Sequence, residues 1–412
     1  MRRKDSLLIK AMLTAGALFA VMPALSVSAE NTYTPVSGEK ITIEKYLIYA
    51  STSNAPEVTF TYNMTPGDAI PPEGGKYEVK SGGDPSVAGT PVIGSASFDS
   101  ESIKYSTAQS TSSDIGQYAG ITVDPVELSD NDVYSRSDIS VDLSGVSFSK
   151  PGIFRWKITE NDAGEQANRG VVPVGEQTKY LDVYVSSDSY NEGSAHGTLE
   201  ITGYILQNKE GYQPPLEEGD DVTKTVGFTS RYSTHNISLR NKISGNQGSL
   251  NKYFEYTWNI TGAHQNCKYD ITYINADRVV PDKPTDKVTK AEYRGKENPV
   301  SVTTDSDGNA TFKVYLKADQ KISINGISDK AKITITQTQE EGYYVEHEAS
   351  PREPGNSVYI DSLLTERNVT FYNEKKGAIP TGVIQNIIPG MLVVITALAG
   401  IYIMTRLKEE TD

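Results

Sequence analysis

Apolar and polar residues alternate in short segments along most of this chain, and helical periodicity is scarce between residues 30 and 375. Alternation places successive side chains on opposite faces of a strand, so that each segment can bury one face. The clearest segments are Ile41–Leu47, Phe154–Glu160, Tyr180–Val185, Leu199–Tyr204, Phe254–Ile260 and Ala310–Leu316. Turn-forming clusters separate them. The pattern predicts an all-β fold of layered sandwiches.

Composition and charge narrow the class of protein. The chain has 34 Gly, 20 Pro and 25 Tyr among its 412 residues, which is typical of secreted β-structure. Its formal net charge of −14 argues against nucleic acid or an anionic membrane as a partner. Cys267 is the only cysteine, so an internal disulfide is excluded.

The N-terminus has the features of a secretory signal. Met1-Arg2-Arg3-Lys4 is basic, residues 11–25 are apolar, and Val27-Ser28-Ala29 supplies small residues ahead of Glu30. This order predicts a signal peptide over residues 1–29 that is cleaved after Ala29. The alternative is a membrane anchor, although the apolar stretch is short for a span.

The C-terminus predicts a membrane-spanning helix. Residues 383–405 are almost wholly apolar. At about 1.5 Å per residue they reach roughly 34 Å, enough to cross the hydrocarbon core. Arg406 and Lys408 follow directly, as expected for a tail (residues 406–412) that stays in the cytoplasm.

The region between the two ends repeats one plan. Each half opens with an alternating strand, has a later strand that ends in Thr plus an acid or amide, and closes with Phe-x-polar. A proline-rich surface loop, Gly211–Asp221, lies late in the first half, and we place the boundary near residue 233. The expected domains are residues 30–232 and 233–377.

The residues ahead of the apolar stretch carry a resemblance. Ile379-Pro380-Thr381-Gly382, within residues 378–382, is similar to the sortase sorting signal of Gram-positive surface proteins in its pilin variant, with Ile379 where that variant has Val. The chain as a whole resembles the streptococcal pilin family, whose immunoglobulin-like domains carry internal isopeptide bonds. The matching phrases are ITIEK (41–45), FSKPGIFRWKITE (148–160), VGFTSRY (226–232), ISGN (243–246) and NVTFYNEKKGAIPTG (368–382).

The resemblance implies two tandem immunoglobulin-like sandwiches and covalent attachment. A sortase would cut the Thr381–Gly382 bond and pass the Thr381 carboxyl to an amine of a neighbouring pilin subunit or of peptidoglycan. In a pilus shaft the acceptor is a lysine shortly before the closing strand of the first domain. Lys224 is the nearest match, although the aligned position reads Thr223. An exposed lysine is more often solvated surface.

The family's internal bond joins a lysine on the first strand to an asparagine on the last, assisted by a glutamate. A lysine attacks only when neutral, which requires desolvation, and a buried carboxyl group can relay the proton. Strand phase places Lys45 and Glu160 in the core of the first half. Ser230 stands at the acceptor position and offers no acyl carbon, so this site is expected to be degenerate.

The second half has the opposite defect. Asn373 matches the family's acceptor, but the opening position is Asn241 and the assisting position is Gln337. Lys242 is out of phase and should face solvent. We therefore expect a buried Lys45–Glu160 ion pair and a hydrogen-bonded amide trio rather than cross-links. A slip of one residue would reverse these assignments.

No motif for metal, cofactor or catalysis stands out. Asp305, Asp307 and Asn309 resemble a calcium loop, but position 316 is Leu rather than Glu, which favours a polar turn. The expected function is a non-enzymatic structural subunit, secreted and held at the cell wall of a Gram-positive bacterium. The first alternative is a wall-anchored adhesin that binds host glycan or matrix through residues 65–138, and the second is a surface hydrolase.

Overall fold

The computed structural model describes residues 33–106, 131–161, 166–188, 197–214, 224–275, 298–348, 351–377 and 396–403. Strands dominate them, and the prediction of an all-β fold is confirmed. Helix is confined, among these residues, to a turn at 166–167 and to residues 396–403. No helix in this part of the chain is both long enough and apolar enough for a membrane span.

The N-terminal half, residues 33–232, contains eighteen of the strands found in the described residues. They are β1 (Tyr33–Thr34), β2 (Val36–Ser37), β3 (Lys40–Ala50), β4 (Val58–Phe60), β5 (Tyr62–Pro66), β6 (Val79–Ser81), β7 (Val87–Ala88), β8 (Val92–Ile93), β9 (Ala96–Phe98), β10 (Tyr105–Ser106), β11 (Asp132–Asp142), β12 (Ser147–Phe148), β13 (Gly152–Glu160), β14 (Val171–Val174), β15 (Thr178–Ser187), β16 (Gly197–Gln207), β17 (Lys224–Thr225) and β18 (Gly227–Tyr232).

Two sheets enclose the core of the N-terminal half. One runs in the order β1-β16-β15-β13-β5, with β17 paired to β16 and β6 to β13. The other runs β10-β11-β3-β18-β14, with β8 paired to β11. Their alternate side chains meet in one apolar cluster that includes Leu47, Phe154, Trp156 and Phe228. Burial of these faces is the main force that holds the two layers together.

The C-terminal half, residues 234–377, contains the remaining strands of the described chain. They are β19 (Thr234–Ser244), β20 (Phe254–Thr261), β21 (Lys268–Ile274), β22 (Ser301–Thr303), β23 (Ala310–Leu316), β24 (Lys321–Ser328), β25 (Lys332–Gln337), β26 (Tyr344–Glu348), β27 (Arg352–Pro354), β28 (Ser357–Ile360) and β29 (Arg367–Glu374). A sheet in the order β22-β21-β24-β19-β29-β26-β27 packs on a second, β23-β20-β25-β28. Trp258, Ile324 and Phe371 lie in their shared core.

The structure changes the interpretation of the polar segment from Thr65 to Asp138, which the sequence analysis considered as a possible ligand-binding region. Its last residues belong to β11, which pairs antiparallel with β3 from Asp132↔Ala50 to Asp142↔Lys40. The alternation pattern did not predict this strand, because serines and charged residues interrupt its apolar positions. Those residues are tolerated because several find polar partners, such as Asp132 with Arg231 at 2.8 Å. Part of the segment considered for a binding site is therefore central sheet.

A single residue, Ser233, connects the two halves. Its backbone N–H donates to the Gly170 carbonyl at 2.9 Å, and its carbonyl accepts from the Asp329 N–H at 3.1 Å. Side chains add further bonds across the junction: Ser53–Thr234, Asn54–Lys268, Arg169–Gln265, His264–Gln166 and Ser328–Arg169. The connection is therefore short and bonded on both sides.

His264 makes the junction sensitive to acid. Its ring lies edge-on to Tyr232, and burial lowers its pKa to about 4 from 6.5. The His264 side chain is therefore protonated below about pH 6.5 in the unfolded chain but only below about pH 4 in the folded chain. Stability should fall by about 3 kcal/mol as the pH drops across this interval. Urea unfolding measured from pH 7 to pH 4 checks this. His264→Phe, which keeps a ring beside Tyr232, should flatten the dependence, and an unchanged slope would contradict it.

Candidate functional site

The candidate site of the N-terminal half lies between its opening and closing strands. β3 and β18 run parallel and adjacent, with Lys45 paired to Phe228 and Leu47 to Ser230. Lys45 shares the inward face of β3 with Ile43 and Leu47, and its side chain is fully buried. Glu160 ends β13 on the facing sheet and is also buried.

Three predicted residues meet at this point. The Lys45 Nζ donates to Glu160 Oε2 at 2.5 Å and to Ser230 Oγ at 2.7 Å. The Nζ also lies 4.0 Å from the centroid of the Phe60 ring. An ion pair in such an apolar setting is stable only with close contact and further hydrogen bonds, and both are present.

Tyr62 completes the surroundings of the carboxylate. It lies opposite Glu160 in the β5–β13 pair, and its ring packs on Phe228 with centroids 5.0 Å apart. Burial, together with the nearby negative charge of Glu160, raises the pKa of Tyr62 well above its usual value. The phenol therefore stays protonated, and no second negative charge competes with Glu160 for Lys45.

The candidate site of the C-terminal half is uncharged. β19 and β29 run parallel and adjacent, and Asn241, Gln337 and Asn373 are all fully buried. The Asn373 Nδ2 donates to Asn241 Oδ1 at 3.0 Å and to Gln337 Oε1 at 2.9 Å. Gln337 Nε2 donates back to Asn373 Oδ1 at 2.7 Å, and Asn241 Nδ2 donates to the Leu316 carbonyl at 3.0 Å. The trio is a closed hydrogen-bond network.

The two sites occupy the same place in their halves. Lys45 pairs with Phe228 as Asn241 pairs with Phe371, and the acceptor position follows each phenylalanine by two residues. A tyrosine lies opposite the assisting residue in both: Tyr62 opposite Glu160, and Tyr256 opposite Gln337. Tyr256 packs on Phe371 with centroids 5.3 Å apart, matching the Tyr62–Phe228 contact.

This arrangement limits the chemistry at each site. The N-terminal half holds a buried amine beside a carboxylate, but the group at the acceptor position is a hydroxyl with no acyl carbon to attack. The C-terminal half holds a carboxamide acceptor, but the amine is replaced by an amide, which is not a nucleophile. Each half supplies the part that the other lacks.

Sequence reasoning missed a second buried lysine in the N-terminal half. Lys179 is fully buried, and its Nζ donates to Asn208 Oδ1 at 2.6 Å. It is opposite Ile158 in the β13–β15 pair and shares a phase with Leu181 and Val183. The same phase argument that placed Lys45 in the core would have found it.

The sequence analysis also missed two further buried ion pairs, because the alternation of apolar and polar residues does not predict burial at their positions. Lys252 and Glu340, both in turns, pair at 2.9 Å with their side chains almost wholly buried. Arg155 pairs with Asp182 through two contacts of 2.7 Å. Arg155 lies on the face of β13 away from the core, where residues 208–214 cover it and accept from its guanidinium through the Glu210 and Tyr212 carbonyls.

Lys224, the candidate acceptor, begins β17 and pairs with Gln207 at the end of β16. It is neither fully exposed nor buried, and burial lowers the pKa of its amine. A lowered pKa enlarges the fraction of neutral amine, which is the nucleophilic form. Lys242, by contrast, is half-buried and lies 5.5 Å from the Tyr372 ring on the outer face of β19.

Other predicted residues do not form a site or cannot be placed. Asp305 accepts the backbone N–H groups of Asp307 and Asn309 in a polar turn. Within the described ranges, no group of three His, Cys, Asp or Glu could hold a metal ion. Ala29 and the sorting residues Ile379, Pro380, Thr381 and Gly382 lie outside the described residues.

Comparisons with known proteins find relatives over most of the chain. A family model described as "Domain of unknown function (DUF7601)" matches residues 235–375. A curated protein named "Pilin", from Streptococcus pyogenes serotype M1, is 23% identical over 411 residues, covering 97% of this chain and 99% of its own.

Solved structures of pilins are also similar. The crystal structure of the major pilin from Streptococcus pyogenes is 19% identical, with a TM-score of 0.47, and the match covers 83% of this chain and 100% of that one. The major pilin T-13 from the same species is 17% identical, with a TM-score of 0.45, covering 84% and 100%. The sequence match to the curated pilin confirms that this chain resembles the streptococcal pilin family along nearly its whole length.

Proposed function

We propose that the chain is a structural subunit of a Gram-positive cell-surface pilus, or a related wall-anchored protein, attached covalently through Thr381 by a sortase. The observation that carries the proposal is the C-terminal order of motif, apolar stretch and basic tail in a chain that matches a pilin over 97% of its length. The protein itself performs no catalysis in this proposal. A separate sortase supplies the chemistry.

The proposed architecture has two tandem immunoglobulin-like sandwiches, residues 30–232 and 233–377. Strand pairing supports this division, because every described strand up to Tyr232 pairs within the N-terminal half and every later one within the C-terminal half. Residues 1–29 are the secretory signal, 378–382 the sorting motif, 383–405 the transient membrane span and 406–412 the cytoplasmic tail.

The proposed attachment is an acyl transfer in two steps. In the first step the sortase's nucleophile bonds to the Thr381 carbonyl carbon, the bond to Gly382 breaks, and the Gly382 amine leaves with a proton. In the second step the neutral Nζ of Lys224 on the next subunit, or an amine of peptidoglycan at the base, forms an amide with that carbon. The bond to the sortase's nucleophile breaks, and the nucleophile takes back a proton from the amine. The lowered pKa and partial exposure of Lys224 suit it to this role.

Thr381→Ala should abolish covalent attachment in the native host, because the substitution removes the threonine side chain by which a sortase recognises its sorting motif. Immunoblots of wall extracts provide the measurement: wild-type protein should give a ladder of polymers and the variant only a monomer in the membrane fraction. Wild-type protein that runs as a single wall-linked band would instead favour the anchored adhesin, which binds a host surface ligand. A ladder of polymers in the immunoblot of Thr381→Ala would contradict the proposal.

Lys224→Arg should collapse the ladder to monomer while leaving export intact, since a guanidinium keeps the charge but does not accept the acyl group. Lys332→Arg is the matched control, because Lys332 is exposed and lies on β25 of the other half. Polymers that persist in Lys224→Arg would reject this acceptor and leave Thr381 attachment untouched.

A further inference from the structure

The first and last strands of the C-terminal half are adjacent and form a parallel pair. β19 and β29 pair residue for residue from Ile237↔Arg367 to Ser244↔Glu374. Parallel ladders carry evenly spaced hydrogen bonds along their length. β24 and β26 flank the pair, so it is covered on both edges.

The pairing continues beyond the strands toward the sorting motif. Lys375 donates its N–H to the Ser244 carbonyl at 3.0 Å, and its carbonyl accepts from Gln247 at 3.1 Å. The Asn246 side chain accepts from the Gly377 N–H at 2.8 Å and donates to the Gly377 carbonyl at 3.2 Å. The last described residues before the motif are thus bonded to the turn that follows β19.

We propose that β19 and β29 are a mechanical clamp that resists tension by shear, an inference that rests on the proposed pilus function. Tension between Lys224 and Thr381 would enter β19 at its N-terminal end, through Ser233, and leave β29 at its C-terminal end. Because the strands are parallel, these forces slide one strand along the other. All interstrand bonds then share the force, whereas peeling would break them one at a time.

The amide trio strengthens the clamp from inside the core. Asn241 lies on β19 and Asn373 on β29, so their hydrogen bond of 3.0 Å crosses the sliding plane. Ser238 and Asn368 make a comparable bond of 2.6 Å across the same two strands on the half-buried outer side. The two bonds provide a buried and a more solvated version of one cross-strand contact.

Residues 33–223 lie outside the proposed force path. The chain from Lys224 to Ser233 is covalently continuous, and the C-terminal half then receives the full tension. Of the N-terminal half, only β17 and β18 lie on this path, and its other strands are bypassed. Overstretching would first open the C-terminal half.

Single-molecule pulling of the secreted chain, residues 30–381, tests the clamp. Two variants share a cysteine handle at Glu374→Cys and carry Cys267→Ala. The shear variant adds His235→Cys, at the N-terminal end of β19, and the peeling variant adds Ser244→Cys, directly opposite Glu374. At equal loading rate, the rupture force should be several-fold higher in the shear variant. Equal forces in the two geometries would overturn the proposal.

A second comparison tests the trio. In the shear variant, Asn373→Ala should lower the rupture force clearly, and Asn368→Ala should lower it less. The reverse order would refute the role of the buried contact. The pulling experiment and the Lys224→Arg immunoblot test different claims. If the shear variant is stronger but Lys224→Arg still forms polymers, Lys224 is rejected as the acceptor and the clamp is kept. If the rupture forces are equal but Lys224→Arg loses its polymers, the clamp is rejected and Lys224 is kept.

Discussion

Replacing Ser230 with asparagine is expected to join β3 to β18 covalently and to yield a chain about 17 Da lighter than its sequence mass. The Lys45 Nζ already lies 2.7 Å from Ser230 Oγ and 2.5 Å from Glu160 Oε2. A carboxamide at position 230 would place an acyl carbon in reach. Glu160 takes one proton from the Lys45 ammonium, the neutral Nζ bonds to Cγ, the Cγ–Nδ2 bond breaks, and a second Nζ proton passes to Nδ2, which leaves as ammonia. Asn373 occupies the equivalent position of the other half, which indicates that asparagine fits this geometry.

Intact mass spectrometry and thermal unfolding measure the result. The bond would close a loop of 185 residues, which stabilises by about 5 kcal/mol on the chain-entropy estimate for disulfides. The wild-type chain should show its full sequence mass, and so should the double variant Ser230→Asn/Lys45→Met. A folded Ser230→Asn variant of full mass would show that burial and proximity of these groups are insufficient for the reaction.

Replacing Glu160 with glutamine should destabilise the protein by about 3–5 kcal/mol, because it leaves a buried ammonium without its counterion. The substitution changes little in shape and retains hydrogen-bonding capacity, so the loss reports on charge. Lys45 is wholly buried, and rotation to solvent would expose the surrounding core. Urea unfolding at pH 7 gives the measurement.

The C-terminal half supplies a matched rescue for this variant. Lys45→Asn, Glu160→Gln and Ser230→Asn together install the uncharged trio of Asn241, Gln337 and Asn373, and should return stability close to wild type. The exposed pair Lys332–Asp361 is the control for charge removal as such, and Asp361→Asn should have no measurable effect. If Glu160→Gln unfolded at the wild-type urea concentration, the ion pair would not matter to stability.

The resemblance to the pilin family supplied the candidate positions, and strand phase assigned their faces. Alternation predicted that Lys45 and Glu160 face the core, and the same rule predicted a buried trio of Asn241, Gln337 and Asn373; all five side chains are buried in the structure. The method works here because the sheets are two-layered, so that phase and burial coincide. Lys179 obeys the rule equally and was simply not considered.

Two buried ion pairs and strand β11 could not be predicted from the alternation of residues along strands. Arg155 is on the face of β13 away from the main core, where the Glu210 and Tyr212 carbonyls accept from its guanidinium and help to bury it. Lys252 and Glu340 come together from two turns, and turns have no periodicity to read. Strand β11 was not predicted because its polar residues are paired with residues of neighbouring strands, such as Asp132 with Arg231, and a single sequence does not show such pairing.

The one-residue connection at Ser233 would make a fibre built from this chain regular along its axis. A connector of this length, bonded on both sides, leaves little freedom for the halves to bend or to move apart. Each copy in a fibre would then contribute the same axial rise. Electron micrographs of such fibres should show a sharp, uniform repeat, and inserting flexible residues after Ser233 should blur it.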